Sequence, residues 1–246
     1  MISLLLDYYA YLENYWLFLV LMLICIAFSS YAQHKVNSTY RDYSTMPTQN
    51  GETADSVARR ILDSADLQDI QLKQVNGHLT DYYHHKKKEI GLSASVYGNT
   101  TVAAIAVATH EVGHAIQYKQ KSIFAIAKRV LVPICNIGTY LMWPLIVIGL
   151  ILIFGEISTT GDIFLYVGIG IFGLSTLISL ITVPLERDAS RRAIKILQSS
   201  NAMTEEELIG AKKVLDAASL TYVASLLVSI LQLLRIIIIL MPKKRR

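Results

Sequence analysis

The sequence is poor in charge and nearly free of cysteine. Only 17% of its 246 residues are charged, against roughly a quarter in a soluble domain. That deficit excludes an ordinary water-soluble enzyme as a description of the whole chain. The two cysteines, Cys25 and Cys135, both lie in apolar runs. A disulfide framework and a cysteine-based zinc site are thereby excluded, and the pair reads as small buried apolar side chains. No histidine follows His114, and no Asp-Gly pair occurs. There is no basic helix interleaved with aromatics, so nucleic acid is not expected as a partner. No Lys or Arg precedes the first apolar run, which is preceded instead by Asp7 and Glu13. That run therefore reads as an uncleaved anchor rather than a signal peptide.

What the chain does have is hydrophobicity: 53% of residues and a mean hydropathy of +0.42. The apolar runs are long enough to span a bilayer, which takes about 20 residues. They divide the chain into a stub (1–14), a transmembrane helix (15–31), a first polar region (32–129), transmembrane helices at 130–154 and 163–185, a second polar region (186–218), a transmembrane or interfacial helix (219–241) and a basic tail (242–246). The expected fold is a mainly α integral-membrane protein with a small β element.

In the first polar region, residues 32–51 read as loop. Thr53 to Asp66 has Val57, Ile61 and Leu62 at helical spacing, with Thr53 or Asp55 as cap. Ile70 to Val75 alternates like a strand, and two short strands around His84–Lys88 suggest a hairpin. Pro133 and Pro144 predict a kink in the second run. A break is expected near Ser199-Ser200-Asn201.

Of the 23 Lys and Arg, twelve fall in 32–129, six in 186–218 and four in the tail; Arg235 is the last. With three spans both polar regions share one face, which the positive-inside bias makes cytoplasmic. A fourth crossing would carry the basic tail to the other side. Its apolar length favours crossing all the same.

The chemistry is carried by His110-Glu111-Val112-Gly113-His114. Four residues apart on a helix, two imidazoles lie on one face and chelate one ion, while Glu111 is placed to act as general base on a bound water. Gly113 costs the helix about 1 kcal/mol against Ala unless something packs close. A catalytic zinc site needs a third protein ligand and an open position. Glu156 and Asp162 sit in the short loop on the opposite membrane face. Glu186 and Asp188 come where the third run returns. Glu186 is the expected ligand; Asp188 is read either as a partner for a histidine ring or as a solvated partner of the nearby arginines. Ala189 and Ala193 would let this segment pack closely on the motif helix.

The chain resembles the YugP-like family of membrane-bound neutral zinc metallopeptidases. The carrying residues are Tyr31-Ala32-Gln33, Gly77 to Tyr83, Leu92-Ser93 through Val96-Tyr97, Ala108 to Gln117 and Glu186 to Ala193. The resemblance implies a gluzincin-like zinc-peptidase core distantly related to HtpX-like enzymes. It implies Zn2+ held by His110, His114 and Glu186, with Glu111 as catalyst of peptide-bond hydrolysis. Two departures stand out. Ser190 occupies a position where related gluzincins often have Asp, and Tyr82-Tyr83-His84-His85 replaces the family's usual continuation after Leu-Thr-Asp. Tyr82, Tyr83 and Tyr97 are candidates for a second oxyanion donor, and Gly77–Asp81 for an edge strand that aligns substrate. The expected partners are a protein or peptide substrate, the lipid bilayer, and other membrane proteins or a second copy.

Three rivals remain. An intramembrane protease of the site-two type lacks its Asp-Gly motif here, and the apolar run before His110 is only about ten residues, below spanning length. A transporter would need paired ionisable residues in its spans. A non-catalytic membrane adaptor retaining a zinc site would dispense with Glu111.

Overall fold

The structure is a computed structural model and describes residues 2–154 and 158–240. Glu156 and the basic tail lie outside the described residues. The chain forms two compact units, one from residues 1–31, 128–181 and 223–246, the other from 32–127 and 182–222.

The first unit is helical. It takes in parts of α1 (Ile2–Tyr43), α4 (Ile123–Phe154), α5 (Ser158–Ser199) and α6 (Glu205–Leu240). Three helices are long and apolar enough to cross a membrane, and α4 makes a fourth if its two bent halves are one span. The bend of 50° falls between Asn136 and Tyr140. A proline removes the hydrogen bond to the residue four before it and crowds that carbonyl; for Pro144 that residue is Tyr140. Helices α4 and α5 approach closely where residues are small: a Cβ on Gly149 would lie 2.9 Å from the Gly161 carbonyl oxygen. Thr176 Oγ1 and Ser229 Oγ, 2.9 Å apart, link α5 to α6. Large apolar side chains such as Leu23, Trp143 and Ile151 remain exposed. In water they would form an adhesive surface, and in lipid they are solvated.

The second unit has an apolar core and a small sheet. Helix α2 (Ala54–Ser64) is capped by Thr53, whose hydroxyl accepts from Ser56 N, and buries Val57, Ile61 and Leu62. Strand β3 (Glu89–Ser93) is central and wholly buried, with β1 (Gln71–Val75) parallel on one side and β2 (Tyr82–His84) antiparallel on the other. Helix α3 (Val102–Lys119) is capped by Thr101 and buries twelve residues. Its small side chains at Ala103, Ala104, Ala106 and Ala108 allow neighbours to approach.

Helix ends differ from the apolar runs. The stub expected at 1–14 is helical from Ile2, and α1 continues to Tyr43 through residues expected to form a loop. Helix α5 begins at Ser158 and runs through Pro184 to Ser199. Hydrophobicity marks where lipid solvates a helix; the backbone ladder stops only where another signal breaks it, as at Asn201, which has a φ of 49°.

Candidate metal centre

Helix α3 presents His110 and His114 one turn apart, with ring centroids 4.7 Å apart. Helix α5 supplies Glu186. Its Oε2 lies 3.3 Å from His110 Nε2 and 3.1 Å from His114 Nε2. One ligand atom from each of the three lies within 4.8 Å of the others. Glu186 is buried, and Tyr222 of α6 is hydrogen-bonded to it.

The helices reach this geometry because Gly113 has no side chain. A Cβ there would sit 2.7 Å from the main-chain oxygen of Ala189. Ala189 and Ala193 are fully buried. The glycine and the two alanines thus set the depth at which α5 meets α3, and with it the position of Glu186.

The far nitrogens of both rings are also held. His114 Nδ1 lies 2.9 Å from Gln117 Oε1. The Gln117 amide group donates to the Leu185 carbonyl at 2.8 Å and to Asp188 Oδ2 at 2.7 Å. Both its hydrogens are thus committed, so its oxygen accepts from His114 Nδ1–H. The His114 Nε2 lone pair is left facing Glu186. Ser190 Oγ stands 3.2 Å from His110 Nδ1 and serves the first ring in the same way. These contacts decide between the two readings of Asp188 in favour of the arginine partner. Asp188 does not touch a histidine; it accepts from Gln117 and from Arg192 Nε at 2.7 Å. Glu186 and Ser190, four apart, share the helix face that meets α3, whereas Asp188 lies two residues round from each. Tyr222 was not singled out from the sequence, and Gln117 stood there only as the end of the extended motif, without a role. Gln117 follows His114 by three, a spacing at which helical side chains meet.

The electrostatics favour a cation. Burial alone would lower the His114 pKa, yet Glu186, aided by Glu111 and Gln117, raises it overall. Burial pushes the Glu111 carboxyl up; the two imidazoles pull it down, and Glu186 and Asp81 push it up further. Asp81 is itself raised by burial, although Ser93 donates to it through both N and Oγ. Nitrogen lone pairs and a carboxylate oxygen at these distances repel one another unless positive charge lies among them. Two imidazoles and one carboxylate are the donor set of a catalytic zinc site with one position left for water.

The remaining sequence candidates have other contacts. The Tyr82 hydroxyl donates to Glu89 Oε1 at 3.2 Å, the Tyr83 ring packs 5.6 Å from Tyr118, and Tyr97 packs on the apolar core. Gly77–Asp81 is not a strand: Gly77 and Leu79 have φ of 111° and 55°, and the Thr80 hydroxyl turns back onto the Asn76 carbonyl. A segment so bent offers no ladder to a substrate, and the sheet edges are β1 and β2.

No solved structure matches. The protein described as "Putative membrane protease YugP" from Bacillus subtilis (strain 168) is 37% identical over 223 residues, covering 91% of this chain and 96% of that protein. Residues 18–241 match the family described as "Putative neutral zinc metallopeptidase", and to that family the chain belongs.

Proposed function

We propose that this protein is a membrane-anchored zinc metallopeptidase of the gluzincin kind, with His110, His114 and Glu186 as ligands and Glu111 as general base and acid. The observation that carries the reading is the convergence of two Nε2 lone pairs on one Glu186 oxygen, with the Nδ1 side of each ring already satisfied. Zinc bound there supplies a Lewis acid that acidifies water toward a pKa of about 7 and polarises a carbonyl.

The chain's own groups do the rest. Gln117 and Ser190 hold the rings in the tautomer that presents Nε2. Tyr222 steadies the Glu186 carboxylate. Glu111, whose proton affinity is raised by burial, takes a proton from water and returns it to the leaving amine. Its surroundings bring its basicity closer to the working pH than that of an exposed glutamate. The catalytic region faces the cytoplasm in this reading, because the two polar regions hold eighteen of the 23 Lys and Arg.

The test is cleavage of casein by the full-length protein in detergent, with zinc content measured alongside. Glu111→Gln should keep its zinc and lose roughly 10²–10⁴-fold in rate, while His110→Ala should lose both. A wild type that binds zinc but cleaves no better than Glu111→Gln would make the protein an adaptor with a structural metal.

A further inference from the structure

A cleft of about 530 Å³ opens between α5 and α6 in the second unit. Its rim carries Arg187, Arg191 and Lys195 from α5 and Lys212 from α6, against one acid, Asp216. The first three recur every fourth residue, so they line one face of the helix. All four cations are exposed. Their neighbour Arg192 is committed to Asp188 and Gln120. Among the described residues the four rim cations make no comparable ion pair. The wall between them is apolar, built from Ile194, Leu215 and Leu220.

We propose that this cleft binds an anionic phospholipid, with the phosphate among the four cations and the start of an acyl chain against the apolar wall. Two observations select a lipid. Arg187 lies two residues past the end of the third apolar run, and Leu220 lies at the start of the last one. The cleft is thus lined by the parts of the chain that border the membrane-spanning runs, where clustered Lys and Arg meet anionic headgroups. Second, Ser190 also lines the cleft. It stands at Nδ1 of His110, whereas Nε2 of that ring faces Glu186. The cleft therefore lies on the ring's far side from the metal centre, which is the wrong side for a scissile peptide. Its occupant would abut the residue that orients a zinc ligand.

The proposal is independent of peptidase activity and is tested by lipid retention. Full-length protein is placed in nanodiscs of phosphatidylcholine with or without phosphatidylglycerol, and bound lipid is counted by native mass spectrometry. Wild type is compared with Lys195→Gln/Lys212→Gln, in which neither residue touches the metal centre, and unchanged zinc content reports an intact fold. Wild type should prefer phosphatidylglycerol. The double variant should bind it roughly 25-fold more weakly, from about fivefold per cation removed, with phosphatidylcholine retention unchanged. Equal retention of the two lipids by wild type would overturn the proposal, as would an undiminished preference in the variant. Soluble glycerol phosphate binding as tightly as the lipid would overturn the lipid source. A raised KM for acidic peptides in phosphatidylcholine discs, without a change in lipid preference, would assign the cleft to substrate instead.

Discussion

Gly113→Ala separates two opposed effects in a single substitution. Helix propensity alone makes the alanine better by about 1 kcal/mol. The tertiary structure says otherwise: the new Cβ would lie 2.7 Å from the Ala189 main-chain oxygen, whereas ordinary contact begins near 3.4 Å. Helix α5 must therefore retreat by about 0.7 Å. No side-chain change at Ala189 relieves this, because the colliding atom is backbone. Ala189 lies three residues after Glu186 and one before Ser190, so the retreat carries away both the proposed third ligand and the support of His110. Zinc distances tolerate only about 0.2 Å. We expect a loss in zinc affinity on the order of a hundredfold, comparable to or larger than removal of a ligand's hydrogen-bonded partner. A competitive chelator titration followed by metal analysis measures it, and thermal melting of the metal-free protein measures the packing cost. Gly170→Ala is the control, since nothing lies within 4 Å of its Cβ. A Gly113→Ala protein that keeps wild-type zinc affinity and melts higher would refute the argument that this glycine sets the α3–α5 distance.

Three further outcomes follow from named contacts. Ser190→Ala removes the group at His110 Nδ1 and should weaken zinc roughly 10–100-fold, read by the same titration, with the melting temperature of the metal-free protein little changed. Tyr222→Phe removes the hydroxyl bonded to Glu186; about a tenfold loss of zinc affinity is expected, with kcat of the zinc-saturated protein changing less than affinity. Asp81→Asn tests linkage. Burial raises the folded-state pKa of Asp81 above 3.8, so its contribution to stability is fully present below 3.8 and is lost as pH rises through the raised folded value. The variant should therefore gain on wild type between pH 4 and pH 7, as measured by paired melting curves.

The sequence alone was enough for several features that depend on local periodicity, though not for the extent of α1, which runs to Tyr43 through an expected loop. His110 and His114 meet because four residues make about one helical turn, and the helices long enough to cross a membrane follow from long apolar runs. Thr53 caps α2 because its hydroxyl reaches a free N–H one turn on. The strand at Gln71–Val75 follows its alternation. The close approach hinted at by Gly113 and the two alanines also came from residue size alone. What the tertiary structure decided depends on which faces meet across long stretches of chain. Glu186 is 76 residues from His110 and 72 from His114, and although it was the expected ligand, spacing alone cannot bring it to the histidines ahead of Asp188. The rotation of α5 does so, by turning Glu186 and Ser190 together toward α3 and leaving Asp188 to reach His114 only through Gln117. The same holds for Tyr222, which lies in an apolar run and becomes part of the site only by the way α6 packs. It holds too for Gly77–Asp81, where positive φ values replaced an expected strand with a turn. Hydrogen-bond partners of this kind are set by the packing of whole helices, and that packing is a property of the folded chain.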